Sequence, residues 1–128
     1  MTPFQTPEVE AAFAAFPPSA RNGLLLLRDL IFYTASALPT PAKLSEELKW
    51  GQPAYLARKG TTIRLGIPKQ ARFGLFVHCQ TRLISEFSEM FPGADRIEGT
   101  RAVLFDDPGE VSRERHGWLI ARALTYHV

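Results

Sequence analysis

The amino-acid sequence predicts an α+β fold, a mostly antiparallel sheet of about five strands flanked by helices. Three observations carry that expectation. Apolar residues recur every three or four positions ahead of Thr40, their period changes to two from Glu46, and the strands then follow one another through tight turns. A parallel sheet would instead alternate strands with helices along the chain.

Thr6-Pro7-Glu8 reads as a helix start. A threonine hydroxyl accepts an unpaired backbone N–H, proline at the first helical position loses nothing, and glutamate suits the positive end. Val9, Ala12, Phe13 and Phe16 then form one apolar stripe, which Pro17-Pro18 ends. Ser19 is expected to cap a second helix whose Leu24, Leu27, Ile31, Ala35 and Leu38 share a face, widened by Leu25, Leu26, Leu30 and Phe32. So broad a stripe calls for burial on more than one side. Pro39-Thr40-Pro41 stops the helix, because proline cannot donate and disfavours helix in the residue before it.

Leu48 to Trp50 reads as a short strand closed by Gly51-Gln52-Pro53, Ala54 to Arg58 as a second, and Thr61 to Ile67 as a third after a turn at Lys59-Gly60. In the third, Ile63, Leu65 and Ile67 point one way while Thr62, Arg64 and Gly66 point the other. Phe73 to Cys79 is the strongest strand. Phe73, Leu75, Val77 and Cys79 lie on one face and Gly74, Phe76 and His78 on the other, so apolar residues fall on both parities, as in a central strand. Thr81 is expected to cap a helix that turns Leu83, Ile84, Phe87 and Phe91 inward and ends at Pro92-Gly93. Arg96 to Glu98 and Ala102 to Phe105 pair around Gly99. Asp107-Pro108-Gly109-Glu110 is a reciprocal capping arrangement for a last helix running towards Tyr126, with Val111, Trp118, Ala121 and Leu124 as its core edge.

Composition narrows the function classes. The 128 residues are 45% hydrophobic and 22% charged, the profile of one folded domain spanning the chain, with no internal repeat or linker. Lys+Arg 15 against Asp+Glu 13 leaves a formal net charge of +2, too balanced for coating a polyanion. The strands also lack the aromatic signature of a nucleic-acid reader, so nucleic acid is not an expected partner. One cysteine excludes an internal disulfide and a cysteine-rich zinc site, and points to a reducing cytoplasm. The chain opens on no basic-then-apolar leader and holds no apolar run of about 18 residues, so no membrane association is expected.

Catalytic patterns are sparse. His78 and Cys79 are strand neighbours expected on opposite faces, which denies them a shared metal or a nucleophile–base pairing, and Cys79 is expected to be a small buried hydrophobe. His116 and His127 are expected on the last helix, about 16 Å apart by helical rise, with His116 solvated. No metal ligand set, nucleophile elbow or phosphate loop occurs. If helices cover one face of the sheet, the other shows Arg64, Phe76 and His78 on adjacent strands. Beside them, Lys49, Trp50, Gln52 and Tyr55 gather around a Gly/Pro turn. Arginine forks onto carboxylates or phosphates and aromatics stack, so these seven residues make a candidate site for a small anionic or planar ligand. An aromatic sheet face would equally serve a homodimer.

The run Glu47-Leu48-Lys49-Trp50-Gly51-Gln52-Pro53-Ala54-Tyr55, followed by Thr62-Ile63-Arg64-Leu65-Gly66, Val77-His78-Cys79-Gln80-Thr81 and Ala123-Leu124-Thr125-Tyr126-His127, resembles the YdhG-like family of small bacterial domains of unknown function. The likeness spans nearly the whole chain. It implies an antiparallel sheet flanked by helices, in an arrangement similar to frataxin. Some members are regarded as intracellular iron chaperones, which makes iron delivery the alternative function that the resemblance implies. A frataxin-type carboxylate strip on the first two helices would draw on Glu8, Glu10 and Asp29.

Overall fold

A computed structural model describes residues 2–128. Two helices, α1 (Pro7–Ala15) and α2 (Pro18–Ala37), precede the strands β1 (Ser45–Lys49), β2 (Gln52–Leu56), β3 (Ile63–Gly66) and β4 (Phe73–Val77). Then come α3 (Leu83–Met90), β5 (Arg96–Glu98), β6 (Ala102–Phe105), a 3-10 turn at Pro108–Glu110 and α4 (Arg113–Leu124). The sheet has six strands in the order β1-β2-β3-β4-β6-β5, and every neighbouring pair is antiparallel.

Local chemistry explains the helix ends. The Thr6 hydroxyl accepts the Val9 N–H at 3.1 Å, as its sequence context predicts. At the other end of α1 the Arg21 guanidinium donates to the carbonyls of Phe13, Ala14 and Phe16, closing groups a helix leaves unpaired. Three expected caps differ. Helix α2 starts at Pro18 with no side-chain cap, so Ser19 lies inside its first turn. The Thr81 hydroxyl donates to the His78 carbonyl and shapes a turn, and α3 begins at Leu83. Asp107 caps the 3-10 turn by accepting the Gly109 N–H, while α4 is capped separately by Ser112.

The first hairpin is also shifted from its expected position. Lys49 pairs with Gln52, so Gln52 and Pro53 open β2, and Trp50-Gly51 alone makes the turn. Both turn residues have positive φ, 56° and 74°, as a tight hairpin whose twist matches its strands requires.

The helices cover one face. On it Tyr55, Ile63, Leu65, Phe73, Leu75, Val103 and Phe105 pack with Leu24, Leu27, Ile31, Leu119 and Ile120 in one buried cluster. Each fully buried large apolar side chain of this kind contributes about 1.5–3 kcal/mol. The opposite face is crossed by a registered row, Glu47–Ala54–Arg64–Phe76–Ala102–Glu98, one residue from each strand.

Burial corrects two further expectations. Strand β4 ends at Val77, which leaves Cys79 exposed rather than in the core. His116 is fully buried rather than solvated, and α4 ends at Leu124, short of His127. Among the described residues no helix is long and apolar enough to cross a membrane.

Candidate ligand site on the outer sheet face

Arg64 is carried to the face opposite the helices by the two-residue period of β3, whose Ile63 and Leu65 are held in the core. Phe76 is its directly opposed partner on β4, and the guanidinium carbon lies 5.7 Å from the ring centroid. Arg64 Nη1 donates to Gln52 Oε1 at 2.7 Å. Gln52 in turn is registered with Lys49. Lys49, Gln52, Arg64 and Phe76 therefore form a continuous track from the edge strand β1 to β4.

Glycine keeps this surface low. A Cβ at Gly66 would stand 2.3 Å from Gln52 Nε2, and one at Gly74 would stand 3.2 Å from the Phe76 ring. Both side chains thus lie flat over glycine backbone. Phe76 is 5% exposed and packs with Ala102, Leu104 and Ala71 in a small second apolar cluster. Arg96 holds the loop carrying Ala71 in place by donating to the Gln70 carbonyl and to Asp106. The ring supports the guanidinium and leaves little free surface for a ligand to stack on.

The remaining candidate residues separate. Tyr55 is fully buried on the helix side of the sheet and does not join the others. Its parity in β2 is opposite to that of Gln52 and Ala54. Trp50 is 90% exposed at the hairpin tip. His78 lies just past β4, where its Nδ1 accepts the Gln80 N–H at 3.1 Å.

Electrostatics single out Arg64. Burial lowers its pKa, the nearby Arg101 lowers it further, and Cys79 opposes the shift. The other half-buried or buried arginines are matched. Arg28 pairs with Glu46, Arg115 with Asp95 and Arg122 with Glu86, while Arg21 holds three carbonyls. Among the described residues Arg64 has no carboxylate partner and a single neutral one.

Two polar clusters escape sequence reasoning. In the first, Arg28 donates to Glu46 at 2.6 Å and 3.1 Å and to the Thr2 and Pro3 carbonyls, between the rings of Phe4 and Phe32. The Tyr55 hydroxyl donates to Glu46 at 2.7 Å, and Gln5 exchanges hydrogen bonds with Glu46 from the amino-terminal segment. Burial alone would raise the Glu46 pKa, but the hydrogen bonds from Arg28, Gln5 and Tyr55 outweigh it and hold the carboxyl below its ordinary value. In the second, the His116 Nδ1 accepts the Ser112 N–H at 2.8 Å, so Nε2 carries the hydrogen directed at Asp95, also 2.8 Å away. Burial would raise the Asp95 pKa, yet hydrogen bonds from His116 and Arg115 bring it below its ordinary value. The one available signal is a charged residue at an apolar-stripe position, Arg28, four residues after Leu24 and three before Ile31.

Among the described residues no three His, Cys, Asp or Glu side chains come together in a group that could hold a metal ion. Comparison of the chain with known proteins finds no matching family model, no matching curated protein and no matching solved structure.

Proposed function

We propose that the protein is a binding module for a small anionic ligand, a carboxylate or phosphate, anchored by Arg64 on the outer sheet face. One observation carries this reading: Arg64 is a half-buried guanidinium without a carboxylate, in a chain whose comparably buried arginines are all matched. Desolvating a cation is unfavourable unless an anion compensates, and a guanidinium fork fits a carboxylate or phosphate with two parallel hydrogen bonds. Gln52 orients the fork from one side and Phe76 supports it from below. Lys49 adds positive charge along the same track. Phe76, 5% exposed, offers a planar ligand little surface, whereas Trp50 is exposed at the hairpin tip. The YdhG-like resemblance remains part of this proposal, and what it implies is an antiparallel sheet flanked by helices.

The test is a thermal-shift screen with small carboxylates and phosphates, repeated on Arg64→Ala. The expected result is a ligand that raises the melting temperature of the wild type and not that of the variant. No responding ligand, or an equal response in Arg64→Ala, overturns the reading.

A further inference from the structure

A second cavity shares no lining residue with the Arg64 track, although its β2–β3 turn joins the two strands that carry Gln52 and Arg64. The segment after α2 (38–43), the β2–β3 turn (57–59) and the end of α4 enclose a cleft of about 610 Å³, within the range of small-molecule sites. Most of its lining is apolar, with Leu38, Pro41 and Leu124 among the residues. Exposed Lys43, Arg58 and Lys59 line the cleft, no acidic side chain does, and the one carboxylate among its lining residues is the main-chain carboxylate of Val128. None of the three cations forms an ion pair among the described residues.

The walls are built rather than incidental. A Cβ at Gly60 would stand 2.7 Å from the Leu124 carbonyl oxygen, so the turn seats directly on the end of α4. The Thr61 N–H donates to the Ala123 carbonyl and the His127 N–H to the Lys59 carbonyl, both at 2.8 Å. On the opposite wall the Ala42 N–H donates to the Ala35 carbonyl at 3.0 Å, which folds the segment back against α2.

A mostly apolar cleft with three cations that form no ion pair among its lining residues selects for one ligand chemistry. We propose that this cleft binds an amphiphile with an anionic head and an aliphatic tail, a fatty carboxylate or an acyl phosphate. The tail lies over Leu38, Pro41 and Leu124, and the head meets Lys43, Arg58 and Lys59. Tail burial contributes about 0.8 kcal/mol per methylene removed from water. A carboxylate and a neutral alcohol of the same chain length share that contribution and differ in the charged head alone.

The test uses decanoate and decanol below the micellar range, read by titration calorimetry and by amide chemical shifts of the labelled protein. Decanoate is expected to bind with shifts concentrated at 40–43 and 57–59, and decanol at least tenfold more weakly. Lys43→Glu/Arg58→Glu is expected to weaken decanoate at least tenfold while keeping the wild-type amide pattern, and Arg64→Ala to bind it as the wild type does. Two helices, α2 and α4, end beside the cleft, and cations near a helix carboxy terminus are favourable without any ligand. If that is their whole role, the double variant melts lower and neither amphiphile shifts these amides, which overturns the proposal. Equal binding of decanoate and decanol, or loss of decanoate binding in Arg64→Ala, overturns it as well.

Discussion

Arg64 and Phe76 stand directly opposite each other in the β3–β4 register, and the ring carries the guanidinium at 5.7 Å. The pairing keeps a cation on a half-buried surface with one neutral hydrogen-bond partner. Such a cation is held at some cost to the fold. Replacing Arg64 by methionine is therefore expected to leave stability within about 1 kcal/mol of wild type, on the stabilising side, because aliphatic packing on Phe76 is kept and desolvation is relieved. Urea midpoints check this. A loss of more than about 2 kcal/mol would show that the guanidinium is an anchor of the fold.

Glu46 is expected to be the least replaceable polar residue. Glu46→Ala leaves Arg28 buried without its carboxylate and is expected to cost about 3–5 kcal/mol. Tyr55→Phe removes one hydrogen bond and is expected to cost about 1–2 kcal/mol. The double change Arg28→Met/Glu46→Leu is expected to be milder than Glu46→Ala alone, since it leaves no charge unpaired. Denaturant titration of the three variants distinguishes these outcomes.

Acid sensitivity follows from the same carboxylate and from Asp95. Both are held below their ordinary values, 4.5 and 3.8, by hydrogen bonds that outweigh burial. A carboxylate with a depressed folded pKa stabilises fully above its unfolded value and loses that contribution as pH falls through the folded one. Melting temperature is thus expected to be flat on this account above about pH 5 and to drop steeply below about pH 4. Glu46→Gln should melt lower at neutral pH and show a shallower drop. A parallel drop in the variant would remove Glu46 as a source.

Gly23 sets two effects against each other. Alanine is a better helix former than glycine by about 1 kcal/mol. At this position its Cβ would stand 2.1 Å from the Phe73 ring, itself fully buried and stacked on Phe105 at 5.0 Å. Overpacking of this kind costs about 1–3 kcal/mol, so Gly23→Ala is expected to destabilise. A raised melting temperature would contradict that.

Trp50 holds a left-handed backbone, φ 56°, with 90% of its surface exposed. Asparagine is the preferred residue there, and Trp50→Asn is expected to stabilise by about 1 kcal/mol. Loss of stability would reveal a contact that the indole makes.

The succession of elements was legible because local signals suffice for it. The Thr6-Pro7-Glu8 start, the proline stops, the alternation from Ile63 to Gly66 and the two-sided apolar run from Phe73 to Val77 each act over a few residues, and all recur in the structure. Of the candidate site, the residues whose parity was readable from an established strand, Arg64 and Phe76, lie where the alternation puts them. Tyr55 does not, because the hairpin turns at Trp50-Gly51, and only cross-strand pairing determines which side of the sheet each β2 residue faces. Cys79 left the core because β4 ends at Val77, where its pairing with β3 stops. The buried partners, Arg28 with Glu46 and His116 with Asp95, join residues 18 and 21 positions apart. Nothing local marks such pairs, since burying a charge is tolerable only once tertiary packing has delivered its counterpart.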